Sequence, residues 1–209
     1  MGAAAQRRRT RRRPDEARRV ILEAAEKRLI EGGPEAVRVQ VVAADLGLTD
    51  AAVHHHFGSR RGLLEALLRF GGRRLREQVE EILAGSNADS AGLRHIAELI
   101  ADAYAERGYA RLALWLSLSG WSDQGSGMFE PLVDALHRAR GVRARARGEP
   151  RPRRHESQHA VALLNVALAA EPLMGASFLR SVGLPGDTSA RTHFRRWMLN
   201  ALEAVLLPD

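Results

Sequence analysis

The sequence is patterned for α-helices along nearly its whole length, and no other feature limits its possible folds as strongly. Apolar residues recur every three or four positions, and the alternation that is typical of strands is absent. In the first helix, predicted from about Asp15 to Glu31 and ended by Gly32-Gly33-Pro34, this spacing produces one apolar stripe. The stripe consists of Ala17, Val20, Ile21, Ala24, Ala25 and Leu29. We therefore predict an all-α fold.

Glycine-containing breaks divide the pattern into about nine helices. Two short helices are predicted at residues 39–46 and 49–56, on either side of Gly47, and a long helix begins at Arg60. Pro172 lies inside one of the later helices and is predicted to kink it. The last five helices are predicted at residues 90–107, 109–121, 127–147, 154–181 and 187–207.

Several classes of protein and site are excluded or disfavoured by what the sequence lacks. There is no cysteine, which excludes disulfides, thiolate metal sites and cysteine nucleophiles. The N-terminal arginines are not followed by an apolar stretch, so they do not form a signal peptide, and no unbroken run of about 18 apolar residues predicts a membrane span. No phosphate-binding glycine loop, G-x-S-x-G or H-E-x-x-H motif is present. We expect a cytoplasmic protein that is not an enzyme and needs no cofactor.

The positive charge is concentrated in the first third of the chain. Residues 1–74 contain 16 Lys and Arg against 9 Asp and Glu, whereas residues 75–209 contain 16 of each kind. This asymmetry indicates a module that binds a polyanion, joined to one that does not. Residues 1–13 contain six arginines and no apolar face, so we expect a disordered arm there. The arm is either a solvated tail or a segment that contacts DNA phosphates or the minor groove.

The two short helices around Gly47, preceded by a bracing helix and the arginine arm, describe a helix-turn-helix. The second of these helices must be thin enough to enter the major groove. Its exposed face is predicted to consist of the small residues Asp50, Ala51 and Ala52, while Val53 and Phe57 hold it to the bundle. The pattern therefore predicts a DNA-binding module.

The stretches ARRVILEAAEKRLIEGG and VVAADLGLTDAAVHHHFGSRRGLLEALL resemble the DNA-binding domain of the TetR (tetracycline repressor) family of bacterial regulators. The resemblance covers about residues 17–68 and includes the Val42-Ala43 step, the turn at Gly47 and the His56-Phe57 pair. It implies a helix-turn-helix domain over residues 14–70 and a ligand-binding and dimerisation domain over residues 71–209. The function it implies is that of a ligand-responsive repressor that binds a palindromic operator as a homodimer.

The same resemblance implies contacts with DNA. Gln40 would read a base edge, for which adenine is the best partner, and Asp50 would accept a hydrogen bond from cytosine. Arg60 would meet a phosphate together with the N-terminus of its helix. His54 stands where the family usually has tyrosine, so its phosphate contact would depend on pH. The full candidate set is Arg38, Gln40, Thr49, Asp50, Ala51, Ala52, His54, His55 and Arg60.

Histidine clusters raise the question of a metal site. His54, His55 and His56 are consecutive on a helix and project about 100° apart, so they do not converge on one ion. His155 and His159 have i, i+4 spacing, with Glu156 beside them. A solvated or dimer-facing surface is the favoured interpretation of that group, and the alternative is a metal-dependent enzyme built on a helical bundle. A further alternative is nonspecific nucleic-acid binding through the arginine arm.

In the TetR family the last two long helices form a four-helix dimer interface. Here these helices would span residues 154–181 and 187–207. They are joined to the DNA-binding domain through the long helix after Arg60, in which Gly71-Gly72 is a candidate hinge because each glycine costs about 1 kcal/mol relative to alanine. The apolar residues available for the interface are Val161, Leu164, Leu168, Leu173, Phe194, Trp197, Met198, Ala201 and Val205.

The middle helices are rich in aromatic, methionine and small residues. Some of these are expected to line a pocket for an apolar or aromatic small molecule, with a few polar groups to orient it. Binding of this effector would shift the long helix and change the spacing of the two recognition helices in the dimer. The candidate ligand-binding residues are Tyr104, Trp115, Leu118, Ser119, Trp121, Met128, Phe129, Asn165, Met174 and Phe178.

Overall fold

The computed structural model describes residues 14–85, 90–122 and 127–206, so the predicted arm at residues 1–13 lies outside the described residues. Within these ranges the chain forms nine α-helices, one 3-10 turn at Pro34–Ala36 and no strand, which confirms the predicted all-α class. The helices are α1 (Pro14–Gly32), α2 (Val39–Asp45), α3 (Asp50–Phe57), α4 (Arg60–Gly85), α5 (Ser90–Ala105), α6 (Tyr109–Leu118), α7 (Glu130–Arg147), α8 (Arg154–Ser181) and α9 (Thr188–Leu206).

The chain divides into two compact units, Met1–Ala66 and Leu67–Asp209. The first contains α1, α2, α3 and the first residues of α4, and the second contains the rest of α4 and α5 to α9. Helix α4 therefore contributes residues to both units.

The first unit is built around the apolar stripe of α1. Ile21, Ala25 and Leu29 are almost completely buried and pack with apolar residues of the following helices. Burial of each large aliphatic side chain contributes about 1.5–3 kcal/mol. Six other apolar residues of the unit are each at most 1% exposed, namely Val37, Val42, Ala43, Val53, Leu63 and Leu64.

A surface ion pair ties α1 to the end of α2. Both oxygens of the Asp45 carboxylate accept hydrogen bonds from Arg28, with Nε to Oδ2 at 2.7 Å. This fork-to-fork geometry holds the pKa of Asp45 below its usual value and raises that of Arg28, since the hydrogen-bonded charged pair is the favoured state. Sequence patterns do not single out this pair, because 17 positions separate the two residues.

The core of the second unit is formed where α8 packs against α5, α7 and α9. Its most buried members come from every helix of the unit except α6, and the partly buried Met128 and Phe129 pack against it. Val161, Leu168 and Met198, three of the residues predicted for a dimer interface, belong to this intrachain core. They face neighbouring helices of the same chain, because α8 and α9 also pack on each other.

A buried carboxylate joins α8 to α9. The side chain of Glu171 is 1% exposed and accepts hydrogen bonds from Arg191 Nε and Arg195 Nη2, each at 2.8 Å. Gly175 lies one turn further along α8, and a Cβ there would lie 3.1 Å from Glu171 Oε1. The glycine thus leaves room for a carboxylate that would be costly to bury without its two partners.

Helix α8 is long and apolar enough to cross a membrane by length and composition. Its qualifying 18-residue window has a mean hydropathy of 1.5, and only 22% of that window is buried. The sequence analysis predicted no membrane span because it looked for an unbroken apolar run. The mean hydropathy of a window can be high even when polar residues interrupt it, so α8 meets this second criterion. Core helices of proteins that never enter a membrane meet the same criterion. The low burial reflects apolar residues on α8 that the rest of this chain does not cover.

Replacement of Glu171 by alanine is expected to lower the free energy of unfolding by roughly 2–3 kcal/mol, since two arginines lose their shared counter-charge. Urea unfolding measures the effect, and Glu98→Ala, at an exposed position of α5, is the matched control that should change stability by less than about 0.5 kcal/mol. Equal effects of the two substitutions would show that the hydrogen bonds of Glu171 to Arg191 and Arg195 do not stabilise the α8–α9 pair.

Candidate nucleic-acid interface and ligand cavity

Helix α3 has one buried face and one open face. Val53 is completely buried and attaches the helix to the first unit. Asp50, Ala51, His54 and His55 are exposed, and Ala52 is partly exposed. The helix thus presents small residues at its N-terminal end and imidazoles near its C-terminal end, on a surface free to meet another molecule.

Thr49 caps α3. Its backbone is extended and its Oγ1 accepts a hydrogen bond from the Ala52 amide at 3.3 Å. A threonine hydroxyl has one proton to donate in addition to its acceptor lone pairs. The exposed Thr49 is therefore able to cap the helix and to donate to an external oxygen at the same time.

A backbone carbonyl at the C-terminal end of α3 determines which ring nitrogen of His54 carries a proton. Nδ1 of His54 lies 3.1 Å from the carbonyl oxygen of Gly58, which accepts only, so Nδ1 carries a proton and donates it. In the neutral ring Nε2 is then an acceptor, and only the protonated ring offers a second N–H. Gly58 adopts φ 73°, a left-handed conformation that favours glycine.

Arg18 of α1 fastens the end of α3. Its guanidinium donates a hydrogen bond to the carbonyl of His56 and lies 4.6 Å from the centroid of the Phe57 ring. Burial lowers the pKa of His56, with smaller contributions from His55 and Arg18. Sequence patterns indicate the His56-Phe57 anchor but not its partner on α1, since arginines at helix surfaces are common in this chain.

The start of α4 packs tightly against the end of α3. The Ser59 hydroxyl accepts from the Gly62 amide at 3.0 Å, as an N-cap does. A Cβ at position 62 would lie 2.1 Å from the Phe57 carbonyl oxygen, so only glycine permits this approach. Gly62 therefore sets the distance between α3 and α4, a role that the sequence pattern does not reveal.

Arg60 braces the first unit. Its Nε donates to the carbonyl of Val37 at 2.8 Å, and its Nη2 donates to that of Pro34. These carbonyls lie at the 3-10 turn before α2, 23 and 26 residues away in sequence. The resemblance implied a phosphate contact, whereas the structure engages the guanidinium within the protein. A phosphate at this point would meet the N-terminus of α4 instead.

The remaining candidate contacts lie beside α2. Arg38 precedes the helix with an extended backbone, and its side chain, which has no acceptor, makes no cap hydrogen bond; its Nε donates to the Glu35 carbonyl at 3.3 Å. Gln40 is exposed on the first turn of α2. Residues 14–66 contain seven Lys and Arg against nine Asp and Glu, so the positive excess of the N-terminal region comes from the arm and from α4 beyond residue 66.

A cavity of about 510 Å³ lies in the second unit, between α4, α5, α6 and the segment before α7. Its wall is mainly apolar, and three of the predicted ligand-binding residues line it, namely Tyr104, Trp121 and Met128. The full lining consists of Leu68, Arg69, Gly71, Gly72, Arg73, Leu75, Arg76, Ala103, Tyr104, Tyr109, Ala113, Trp121 and Met128.

The glycine pair of α4 forms one wall of the cavity. A Cβ at Gly71 would lie 2.1 Å from the ring of Tyr109, and one at Gly72 would lie 3.0 Å from the sulfur of Met128. The helix continues through both positions from Arg60 to Gly85. The two glycines therefore have a packing role, since they allow an aromatic ring and a thioether to approach the backbone.

The structure places the other predicted ligand-binding residues outside this lining. Asn165 is tied to the cavity indirectly, because its Oδ1 accepts from the Tyr104 hydroxyl at 2.9 Å. Ser119 donates to the Trp115 carbonyl. Leu118, Met174 and Phe178 are exposed, while Trp115 and Phe129 are partly buried elsewhere. Burial raises the pKa of Tyr104 to about 12, so this hydroxyl stays protonated and donates.

The histidine pair on α8 lacks a third ligand. The rings of His155 and His159 are both exposed, with centroids 5.7 Å apart. Glu156 instead accepts hydrogen bonds from Arg153 and Arg140, each at 3.2 Å, and these arginines lower its pKa. Over the described ranges no group of three or more His, Asp or Glu side chains is placed to hold a metal ion.

Comparison with known families finds one match, which lies in the N-terminal part of the chain. Residues 21–67 match the model for bacterial regulatory proteins of the tetR family. This range contains α2, α3 and most of α1, and it includes all nine candidate DNA-contacting residues. No curated protein matches the sequence.

Solved structures share the fold of the whole chain. A TetR-family transcriptional regulator from Pectobacterium atrosepticum is 23% identical, with 96% of this chain and 99% of that chain covered and a TM-score of 0.60. A putative TetR-family regulator from Mesorhizobium loti is 16% identical over 93% and 98% of the two chains, with a TM-score of 0.61. AibR, solved with isovaleryl coenzyme A and operator DNA, is 19% identical over 89% and 97%, with a TM-score of 0.51.

Acidification is expected to loosen the attachment of α3. The folded pKa of His56 is below its ordinary value of about 6.5, so the unfolded chain binds the proton more readily and stability is lost as the pH falls through this range. Hydrogen-exchange protection of the α3 amides, corrected for intrinsic rates, should therefore fall between pH 7.5 and 5.5, and His56→Gln should reduce that fall. His95→Gln, at an exposed position of α5, is the control, and an equal effect of both substitutions would contradict the assignment.

Proposed function

We propose that this TetR-family protein is a transcriptional regulator that acts in the cytoplasm, binds a palindromic operator as a homodimer and releases it when a small molecule binds. One observation carries the proposal: the tetR-family segment at residues 21–67 contains an eight-residue helix, α3, that is held by its ends and by Val53 and leaves its small-residue face exposed. Such a face fits the major groove.

The contacts with DNA follow from the exposed groups of this segment. Asp50, Ala51 and Ala52 face the bases, and Gln40 on α2 reads a neighbouring base edge. Thr49 donates its free hydroxyl proton to a phosphate, and His55, exposed near the C-terminal end of α3, contacts another. His54 holds a phosphate only when protonated, because its Nδ1–H is already donated to Gly58. Arg38 reaches a phosphate by turning away from the Glu35 carbonyl.

Most of the electrostatic attraction for DNA is assigned to the arm. Residues 14–66 carry two more acidic than basic side chains, so this part of the unit has no net attraction for a polyanion. The six arginines of residues 1–13 reverse that balance. Because each neutralised phosphate releases counterions, removal of the arm should weaken the salt dependence of binding as well as the affinity.

The homodimer is proposed from the uncovered face of α8. Leu163, Val166, Met174 and Phe178 are exposed and recur at helical spacing, so they form one apolar stripe. Trp197 on α9 is 66% exposed and its ring stacks on Phe194. A stripe of this kind is costly to leave in water, and pairing with the same face of a second copy buries it by twofold symmetry.

The cavity is proposed as the effector site. Its volume is within the range of small-molecule pockets, and its wall includes Gly71 and Gly72 of α4. Helix α4 begins among the residues of the DNA-binding unit, so a ligand that displaces it changes the placement of α3. AibR, a structure of the same fold, holds a small molecule and operator DNA together. Coupling of this kind is reciprocal, so operator DNA should weaken effector binding.

Selection of bound DNA from random duplexes tests the function. A twofold-symmetric sequence is expected, whereas binding without sequence preference would support the arm-only alternative and overturn the proposal. The same selection with residues 14–209 should return the same sequence at lower affinity. The slope of log K against log salt should be less steep for the shortened chain, by up to about five, since six arginines are removed.

The dimer is tested by a charge in the α8 stripe. Val166→Glu should shift the solution mass from twice 23.0 kDa to 23.0 kDa and reduce operator affinity, because a carboxylate cannot be buried between two copies. Val142→Glu on α7 is the matched control, since Val142 is 69% exposed and Val166 is 67% exposed. A monomeric wild-type protein that still binds the operator tightly would contradict the proposed assembly.

A further inference from the structure

Three arginines share the cavity wall formed by α4. Arg69, Arg73 and Arg76 have i, i+4 and i+7 spacing, which places their side chains on one face of the helix over about 10 Å. All three line the cavity, and the lining residues include no Asp or Glu within the part of the chain that the structure describes. The charge that a ligand meets at this wall is therefore positive.

The three arginines differ in what they already contact. Nε of Arg76 pairs with Glu80 at 2.8 Å, and its Nη1 lies 3.4 Å from the Gly127 carbonyl. Arg73 is exposed and forms no hydrogen bond or ion pair with the described residues. Its guanidinium offers up to five N–H donors to a ligand. An exposed arginine that lines an apolar cavity marks the edge of that cavity that is open to water.

The rest of the cavity lining is mainly apolar, and its polar side-chain groups are the hydroxyls of Tyr104 and Tyr109 and the indole N–H of Trp121. Tyr104 donates its hydroxyl proton to Asn165, so this hydroxyl has no proton left to donate to an anionic ligand, whereas its ring offers apolar contact. Trp121, Met128 and Leu75 add further apolar surface. A ligand that fits both sides has an apolar body and one anionic end.

We propose that the effector is an amphipathic anion, in which an alkyl or aryl body fills the cavity against Tyr104, Trp121 and Met128 and a carboxylate or phosphate group pairs with Arg73 and Arg69. The inference rests on the proposed regulatory function and specifies the ligand class of that same cavity. Neutral and cationic molecules of the same shape bind less well, because they leave Arg73 without the counter-charge that the described residues do not supply.

Calorimetric titration of the full chain with four probes of equal chain length tests the ligand class. The probes are decanoate, decyl phosphate, decan-1-ol and decyltrimethylammonium, each kept below its micelle concentration. The anions are expected to bind at least about tenfold more tightly than the alcohol, as a charge-assisted hydrogen bond to arginine implies. The ratio between decanoate and decyl phosphate identifies which anionic group the site prefers. Equal binding of the alcohol or the cation, or no binding of any probe, would overturn the proposal.

Substitution at Arg73 locates the selectivity. Arg73→Gln should remove most of the preference for anions while leaving decan-1-ol affinity unchanged, and Arg73→Lys should restore much of it. Arg74→Gln is the matched control, since it removes the same charge one residue away, from a side chain that lies over the Phe70 ring and does not line the cavity. If the anion preference survives Arg73→Gln and the double variant with Arg69→Gln, the assigned site is wrong.

The titrations use free protein and so are independent of DNA binding. If the anions bind through Arg73 but no duplex is selected, the regulatory function fails while the ligand class stands. If a palindrome is selected but the anions show no preference, only the ligand class fails. If decanoate or decyl phosphate releases the selected operator and decan-1-ol at the same concentration does not, the result supports both the regulatory function and the ligand class.

Discussion

An eight-residue helix is too short to be stable by itself, and this limit governs the N-terminal unit of the molecule. Helix α3 is held instead by contacts from outside it. Its own Val53 is completely buried in the unit, the Thr49 hydroxyl caps its first turn, and Arg18 of α1 donates to the His56 carbonyl and lies over the Phe57 ring. Because these contacts lie at the ends and on the inner face, the outer face is free to carry small residues, and it is the surface we assign to DNA.

Close approach through glycine occurs at two places along α4. Gly62 admits the Phe57 carbonyl, and Gly71 admits the ring of Tyr109. Glycine weakens a helix interior by about 1 kcal/mol relative to alanine, so these positions cost stability that packing must offset. The result is a helix that fixes the end of α3 at one end and forms a cavity wall along its middle. A sequence reading of Gly71-Gly72 as a hinge and a structural reading as a packing surface are compatible, because the same missing side chain allows both.

Helix α8 serves two surfaces at once. One face carries Val161 and Leu168 into the core and Glu171 into its pair of arginines. The other face leaves Val166 and Phe178 uncovered. A helix that is apolar on both sides looks from its composition like a membrane span, which explains its high mean hydropathy. Its buried carboxylate and its packing on α5, α7 and α9 place it within a folded domain, and its open stripe is the surface we assign to the second copy.

The sequence by itself determined the all-α class, the positions of the helices and the helix-turn-helix pattern of residues 39–56, because these depend on local interactions. Helical spacing, the cap at Thr49 and the breaks at Gly47 and Gly58 all act within a few residues of one another, and the structure has helices within a few residues of the predicted bounds. Only the tertiary structure decided which side chains meet across the chain. It joined Arg60 to carbonyls before α2, Arg28 to Asp45 and Tyr104 to Asn165, and it separated the apolar residues of α8 into a buried and an exposed face. Periodicity shows that a residue lies on an apolar face, but the element that covers that face is set by contacts between residues far apart in sequence.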